Sequence, residues 1–276
     1  AGENYKEANN LNQKIFKSNY QDFTYKMDKY FNLWPKLKEI PTTNLELPTS
    51  IFIVGLPRSG KTILESILAC NNLVYLSREN QFLALSIEKF LSSNDSMSLY
   101  EIYIKNFENH IKRENYICST TPANFLYTGI IASQFPNAKI IYCHRNILDT
   151  TIEMYKQNLK GKYSFKSSLI DSSNLSLKID SLMNQYRDLF KNNIYFLNYE
   201  KLVTNTNEEI QSLIEWMGWK YTNKFLTPKL DCSTNSNGSA VDKIINQNHL
   251  NLWRNYEKVL EPTLKIMKIN SKNKNS

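Results

Sequence analysis

Only seven of the 276 residues are glycine, in a chain rich in Asn, Lys, Ile and Tyr. A bias of this kind fits codon composition and carries no mechanism, so Asn-x-Ser matches at Asn94, Asn174 and Asn237 get no weight. No apolar run approaches the length of a membrane span, and no signal peptide opens the chain. The four cysteines (Cys70, Cys118, Cys143, Cys232) form no CxxC pair and have no metal-ligand spacing. Cys118 and Cys143 lie in apolar, strand-like runs and read as reduced core residues, which points to a cytoplasmic setting. Net charge is +8, yet no block of Lys and Arg stands out and no basic–aromatic alternation occurs. That argues against nucleic acid and for a basic pocket that takes a charged small molecule.

Hydrophobic residues make up 41% of the chain, enough for one sizeable core. Residues 3–34 carry apolar positions at helical spacing and read as helix. From residue 50 strands and helices alternate. Strands are expected at 51–54, 73–76, 116–118, 138–143 and 194–197, and helices at 61–70, 80–91, 98–113, 122–134, 147–159, 175–191 and 207–217. Thr121-Pro122 reads as an N-cap with proline in the first turn, and Thr206-x-x-Glu209 as a capping box. The Ser-rich stretch 164–174 reads as a surface loop, 231–238 as a polar loop, and 249–260 as a helix. The pattern implies a three-layer α/β/α domain of the P-loop-containing type, with a central parallel sheet and an N-terminal helical segment. The expected divisions are the helical segment over 1–45, the main domain over 46–268 and a disordered tail over 269–276.

The strongest local signal is Ile51-Phe-Ile-Val-Gly-Leu-Pro-Arg-Ser-Gly-Lys-Thr62. A β-branched strand runs into a glycine-bounded loop, and an apolar helix follows. Such a loop turns backbone N–H groups inward, and the helix N-terminus adds partial positive charge, so the unit cradles an anion. Gly55-x4-Gly60-Lys61-Thr62 also spells the loop of nucleoside triphosphatases and kinases, which use Mg-ATP. That chemistry wants an Asp at the end of a later strand. The later strands end instead in His144-Arg145 and Asn198-Tyr199-Glu200. Ligands of parallel sheets bind beyond the C-terminal strand ends. The 55–62 loop, Glu79, Arg145 and Tyr199 all fall there.

Gly-Leu-Pro-Arg-Ser-Gly, followed by a helix and later by Phe-Pro-Asn-Ala-Lys-Ile-Ile-x-x-x-Arg, resembles the sulfotransferases that use 3'-phosphoadenosine 5'-phosphosulfate (PAPS). The likeness covers about residues 45–260. It is greatest to the bacterial branch that follows tetratricopeptide repeats, a branch similar to the tyrosylprotein sulfotransferases. The resemblance implies that Arg58, Ser59, Gly60 and Thr62 bind the 5'-phosphosulfate, Arg145 the 3'-phosphate, and Tyr199 the adenine; the Lys61 ammonium, beside them, is expected to contact the bridging or sulfate oxygens. Glu79 stands twenty-one residues after Arg58, as does the catalytic base of the tyrosylprotein enzymes. Glu79, Arg58 and Lys61 are the expected catalytic residues. The expected product is adenosine 3',5'-bisphosphate, no metal is required, and the acceptor is a hydroxyl of a peptide tyrosine, a glycan or a small alcohol.

Departures from the family pattern keep a divergent, inactive nucleotide-binding protein open beside the enzyme. Lys61 stands where the family has Thr, and Thr120 where it has a catalytic Lys. Glu153 stands where it has a Ser beside the 3'-phosphate, a position that asks the carboxylate to turn away or to pair with Lys156. Ser233 or Ser236 replaces a late family serine. Lys61 is expected to compensate for the lysine missing at Thr120. His144, with no acidic partner in view, reads as structural.

Overall fold

Residues 2–37, 48–92, 97–135, 137–157, 162–228, 245 and 247–273 are described by the computed structural model. Five strands form one parallel sheet in the order β2-β3-β1-β4-β5. They are β1 (Thr49–Val54), β2 (Val74–Arg78), β3 (Tyr116–Ser119), β4 (Lys139–His144) and β5 (Ile194–Asn198). Alternation along each strand sends side chains to two cores. Ile51, Ile53, Cys118, Ile141, Cys143 and Leu197 face one side. There they meet α3 (Lys61–Leu68), α9 (Tyr199–Thr204) and α10 (Thr206–Trp216). Phe52, Val54, Ile117, Ile140 and Tyr142 face the other side. That layer comprises α2 (Tyr20–Leu33), α4 (Phe82–Ser92), α5 (Leu99–Ile104), α6 (Thr128–Gln134), α7 (Ile147–Tyr155) and α8 (Leu169–Leu189). The architecture is therefore the expected three-layer α/β/α with a central parallel sheet, and Cys118 and Cys143 are buried free thiols.

The expected N-terminal helix is two: α1 (Gly2–Ile15) and α2. The chain breaks because Asn19 bonds outward instead of along a helix. Its amide donates to Ser164 Oγ at 3.1 Å, and its Oδ1 accepts from Phe165 N at 3.0 Å. Phe23, Met27 and Tyr30 of α2 then enter the core of the larger face, each burial being worth roughly 1.5–3 kcal/mol. The expected boundary at residue 45 lies outside the described residues, as do 231–238 with Cys232, Ser233 and Ser236.

The stretch 164–174 is buried instead of forming a surface loop. It makes a 3-10 turn, Ser164–Ser167, and the start of α8. Serine hydroxyls satisfy backbone carbonyls one turn back and so go inside without a penalty. Ser176 Oγ donates to Ser172 O at 2.7 Å and Ser172 Oγ to Phe165 O at 3.2 Å, while Ser168 caps α8 through Asp171 N at 3.1 Å. Small hydroxyl side chains also allow close approach of the last helix, α11 (Glu261–Asn273): Ser173 Oγ donates to Thr263 at 2.9 Å. α11 carries helix through 269–273, where a disordered tail was expected.

One expected cap is replaced by a longer-range bond. Glu209 does not box Thr206; its carboxylate accepts from Asn198 N at 3.4 Å, tying α10 to the end of β5. Residues 249–260 form 3-10 turns at Gln247–His249 and Leu252–Tyr256 rather than a helix. This strap is held by one buried carboxylate: Asp149 of α7 accepts from Asn251 N and from Trp253 N, each at 2.9 Å. Asp149→Ala strands both amides and should cost about 2–4 kcal/mol. Hydrogen exchange at the 251 and 253 amides should accelerate more than the global loss in a thermal melt accounts for; equal protection would refute the anchor.

Candidate active site

The loop after β1 takes a conformation that ordinary residues avoid. Gly55 has φ +141°, Arg58 φ +69° and Gly60 φ +100°. A Cβ on Gly55 would stand 2.9 Å from Ser59 Oγ, and one on Gly60 would stand 2.6 Å from Tyr199 Cδ2. Both glycines are therefore required by contact as well as by torsion. α3 starts at Lys61 with its amide end toward the loop, and Thr62 is exposed in its first turn. Lys61 is buried, and its ammonium folds back to donate to Leu56 O at 2.7 Å. Burial lowers its pKa to about 8, against the opposing pull of Cys143 and Glu79; Arg58 lowers it further.

Arg145, just beyond β4, joins three segments. Nη1 donates to Arg58 O at 2.7 Å, Nη2 donates to His249 O of the strap at 2.9 Å, and the guanidinium lies 4.4 Å from the ring centroid of Tyr199. Asn146 caps α7 immediately afterwards, accepting from Leu148 N at 2.9 Å and Asp149 N at 3.2 Å. The Glu200 carboxylate fixes Asn146 N at 2.8 Å. Among the described residues, buried Ser59 Oγ and Arg145 Nε in this region have no hydrogen-bond partner. Unsatisfied donors beside a basic loop suit an anionic ligand with a planar base against Tyr199.

Glu79 is exposed and follows a bulge in the β2–β3 pairing, where Arg78 has φ +55°. The next residue is clamped. Thr121 Oγ1 accepts from Asn80 N at 3.0 Å and donates to Asn80 O at 2.8 Å, and Asn80 Nδ2 donates to Ser77 O at 2.8 Å. Thr121 thus stands at the N-cap of the following 3-10 helix, with Pro122 in its first turn as expected, but its hydroxyl holds the Glu79 turn instead of a helix amide. Glu79 lies close enough to Lys61 for its charge to act on the ammonium. Behind it, Glu65 of α3 hydrogen-bonds Thr120, and burial raises the Glu65 carboxyl above its usual range. Sequence reasoning missed Glu65, although its place one helical turn after Lys61 was the available signal.

Glu153 pairs with Lys156, as its position demanded, at 2.8 Å, and also with Arg58 Nη2 at 3.1 Å. Burial pushes its carboxyl up, but the bonds from Lys156 and Arg58 outweigh burial and hold it below the usual carboxylate range. With the Gln157 amide turned so that its oxygen faces Arg58, that oxygen accepts from Nε at 3.2 Å and Nη1 at 3.3 Å. His144 does have an acidic partner, Asp180 of α8, at 3.6 Å; helix packing supplies it from a distant part of the chain.

Arg58, Ser59, Gly60, Lys61, Arg145 and Tyr199 therefore form one contiguous group, with Glu79 across from Lys61. The fold is thus a parallel α/β/α sheet with a glycine-bounded loop after its central strand. The chain belongs to the sulfotransferase family: residues 48–223 match that family. It is 28% identical over 243 residues to an uncharacterized protein of Aquifex aeolicus (strain VF5), covering 79% of this chain and 32% of the relative. The chain thus spans about a third of that relative's length. In fold it is similar to the sulfotransferase domain from the curacin biosynthetic pathway (TM-score 0.54, 16% identity, 82% of this chain and 98% of that one). It is likewise similar to the sulfotransferase domain from the Synechococcus PCC 7002 olefin synthase (TM-score 0.52, 14% identity, 79% and 91%).

Gly60→Ala tests the cradle. The 2.6 Å contact with Tyr199 and the positive φ predict a loss of about 2 kcal/mol or more in a denaturant titration. An unchanged midpoint would show that the Tyr199 ring is not seated on the loop.

Proposed function

We propose that this domain transfers a sulfuryl group from PAPS to an acceptor hydroxyl, with Glu79 as general base. The observation that carries the reading is Arg145: its guanidinium spans the loop carbonyl at Arg58 and the face of Tyr199, leaving a buried Nε unpaired beside the cradle. A phosphate on the ribose side and an adenine would use that arrangement. PAPS supplies an electrophilic sulfuryl group on a phosphate leaving group; the chain's residues position and neutralise.

Loop amides, Ser59 Oγ and Thr62 hold the 5' anion, and α3's N-terminus favours its charge. Arg145 takes the 3'-phosphate, for which a planar guanidinium is suited. Lys61, charged below pH about 8, faces the transferring oxygens and offsets the charge that develops there. Arg58 stabilises the leaving phosphate. Glu79 removes the acceptor proton. The acceptor is a hydroxyl of a peptide tyrosine, a glycan or a small alcohol. Among the described residues no helix is long and apolar enough to cross a membrane. The buried free thiols support a cytoplasmic setting for the reaction.

Adenosine 3',5'-bisphosphate should raise the melting temperature equally with and without Mg2+, and Mg-ATP should raise it less. Stabilisation by ATP that requires Mg2+ would instead make this a triphosphate enzyme. Glu79→Gln should lower turnover by about 10²-fold or more while leaving bisphosphate binding intact; full activity would remove Glu79 as base.

Lys61 sets a pH limit. Its folded pKa of about 8 lies below the ordinary lysine value of 10.5, so the ammonium is lost as pH rises through 8. Turnover should fall across that range although the folded state no longer bears the cost of a buried charge. Lys61→Thr should abolish transfer with bisphosphate binding largely retained. Undiminished turnover in that variant would dismiss the compensating role for the missing lysine at Thr120.

A further inference from the structure

Arg58 is the loop's own guanidinium, yet its donors are already engaged by α7 and the residue just beyond the helix. Nη2 lies on Glu153 at 3.1 Å, and Nε and Nη1 lie on the Gln157 oxygen at 3.2 and 3.3 Å. The main chain beneath is pinned separately, because Arg145 holds the Arg58 carbonyl at 2.7 Å. The side chain can therefore swing while the cradle keeps its shape.

Glu153 does not need Arg58. Its side chain is 5% exposed and already bonded to Lys156 at 2.8 Å. Breaking a buried ion pair is costly when it strands a charge. Here the group holds two cations and one carboxylate, so releasing Arg58 leaves the neutral Glu153–Lys156 pair. Arg58 itself is 42% exposed, so water can solvate its guanidinium once it leaves the buried carboxylate. The carboxylate thus sits in an exchangeable place on a cation that an anionic ligand of the loop would use.

We infer that Glu153 is an internal anion seated on Arg58, which the donor's anionic group displaces, and that Lys156 retains the carboxylate once Arg58 has left. The inference rests on the reading of the loop as an anion site. In the unliganded protein Glu153 holds Arg58 toward α7 and weakens the first encounter with any loop anion. On binding, Arg58 turns to the ligand, and the loop carries one more positive charge than it shows when empty. Glu153 thus sets donor affinity without touching the reacting atoms.

Calorimetry on the full chain tests this with two probes, inorganic pyrophosphate and adenosine 3',5'-bisphosphate. Glu153→Gln should bind both roughly tenfold more tightly. Lys156→Met should bind both more weakly, because Glu153 is then left with Arg58 alone. In the Glu153→Gln background, Lys156→Met should have no further effect. Unchanged or weaker binding by a folded Glu153→Gln variant overturns the proposal. So does a Lys156→Met effect that persists undiminished without Glu153, since that would be simple loss of a nearby cation. Should Glu153→Gln fail to fold, unchanged affinity in Lys156→Met overturns it equally. Tightened pyrophosphate binding with no bisphosphate binding upholds the exchange and defeats the PAPS reading. No binding of either probe defeats both.

Discussion

The site hangs on the contacts of a single guanidinium. Arg145 lies at the C-terminal end of β4, where a parallel sheet presents its ligands. From there it reaches the loop after β1 through the Arg58 carbonyl, the C-terminal strap through His249 O, and the start of α9 through the Tyr199 face. These segments lie far apart in sequence. A bonded, stacked cation can hold them because it is 93% buried and so pays little further entropy to stay ordered. Asp149, four residues later on the capped helix α7, holds the same strap by two amides. Arg145 and Asp149 together fix the strap to one turn of α7.

The charges of the site are arranged in opposition. Lys61 is desolvated by burial, which weakens its ammonium, while buried Glu153 is bonded by two cations, which strengthens its carboxylate. Burial pushes the Glu65 carboxyl the other way, above its usual range, and the nearby charge of Glu79 adds to that shift. An anion entering the loop therefore meets cations whose charges are either desolvated or already shared.

Much of the sheet was legible because its information is local. A β-branched run before Gly55, a proline after Phe135 and an arginine after His144 each mark a strand end from a few residues. The spacing of Arg58 and Glu79 was likewise readable, and the fold brings Glu79 near Lys61. What escaped was everything decided by packing between distant segments. The serines of 164–174 look solvated until α8 and α11 supply their carbonyl and hydroxyl partners. Asn19 looks like one more polar residue in a helix until Phe165 N claims its side chain. His144 looks unpaired until α8 delivers Asp180. The Thr121 hydroxyl reads as a capping group until the β2 turn arrives with Asn80. In each case the polar group is indifferent to local sequence and satisfied by a tertiary partner.

The first helix has a further consequence. α1 rests against parts of the chain made much later: Asn9 Nδ2 donates to Tyr155 O at 2.8 Å, the Tyr5 and Tyr256 rings lie 6.3 Å apart, and Gly2 approaches Val259 so closely that a methyl group there would clash. α1 therefore leaves the ribosome long before the partners it rests on. These contacts are of the slowest kind, because each closes a long loop of chain. Until they form, the Asn9 amide and the Tyr5 ring lack their tertiary partners, so α1 docks late.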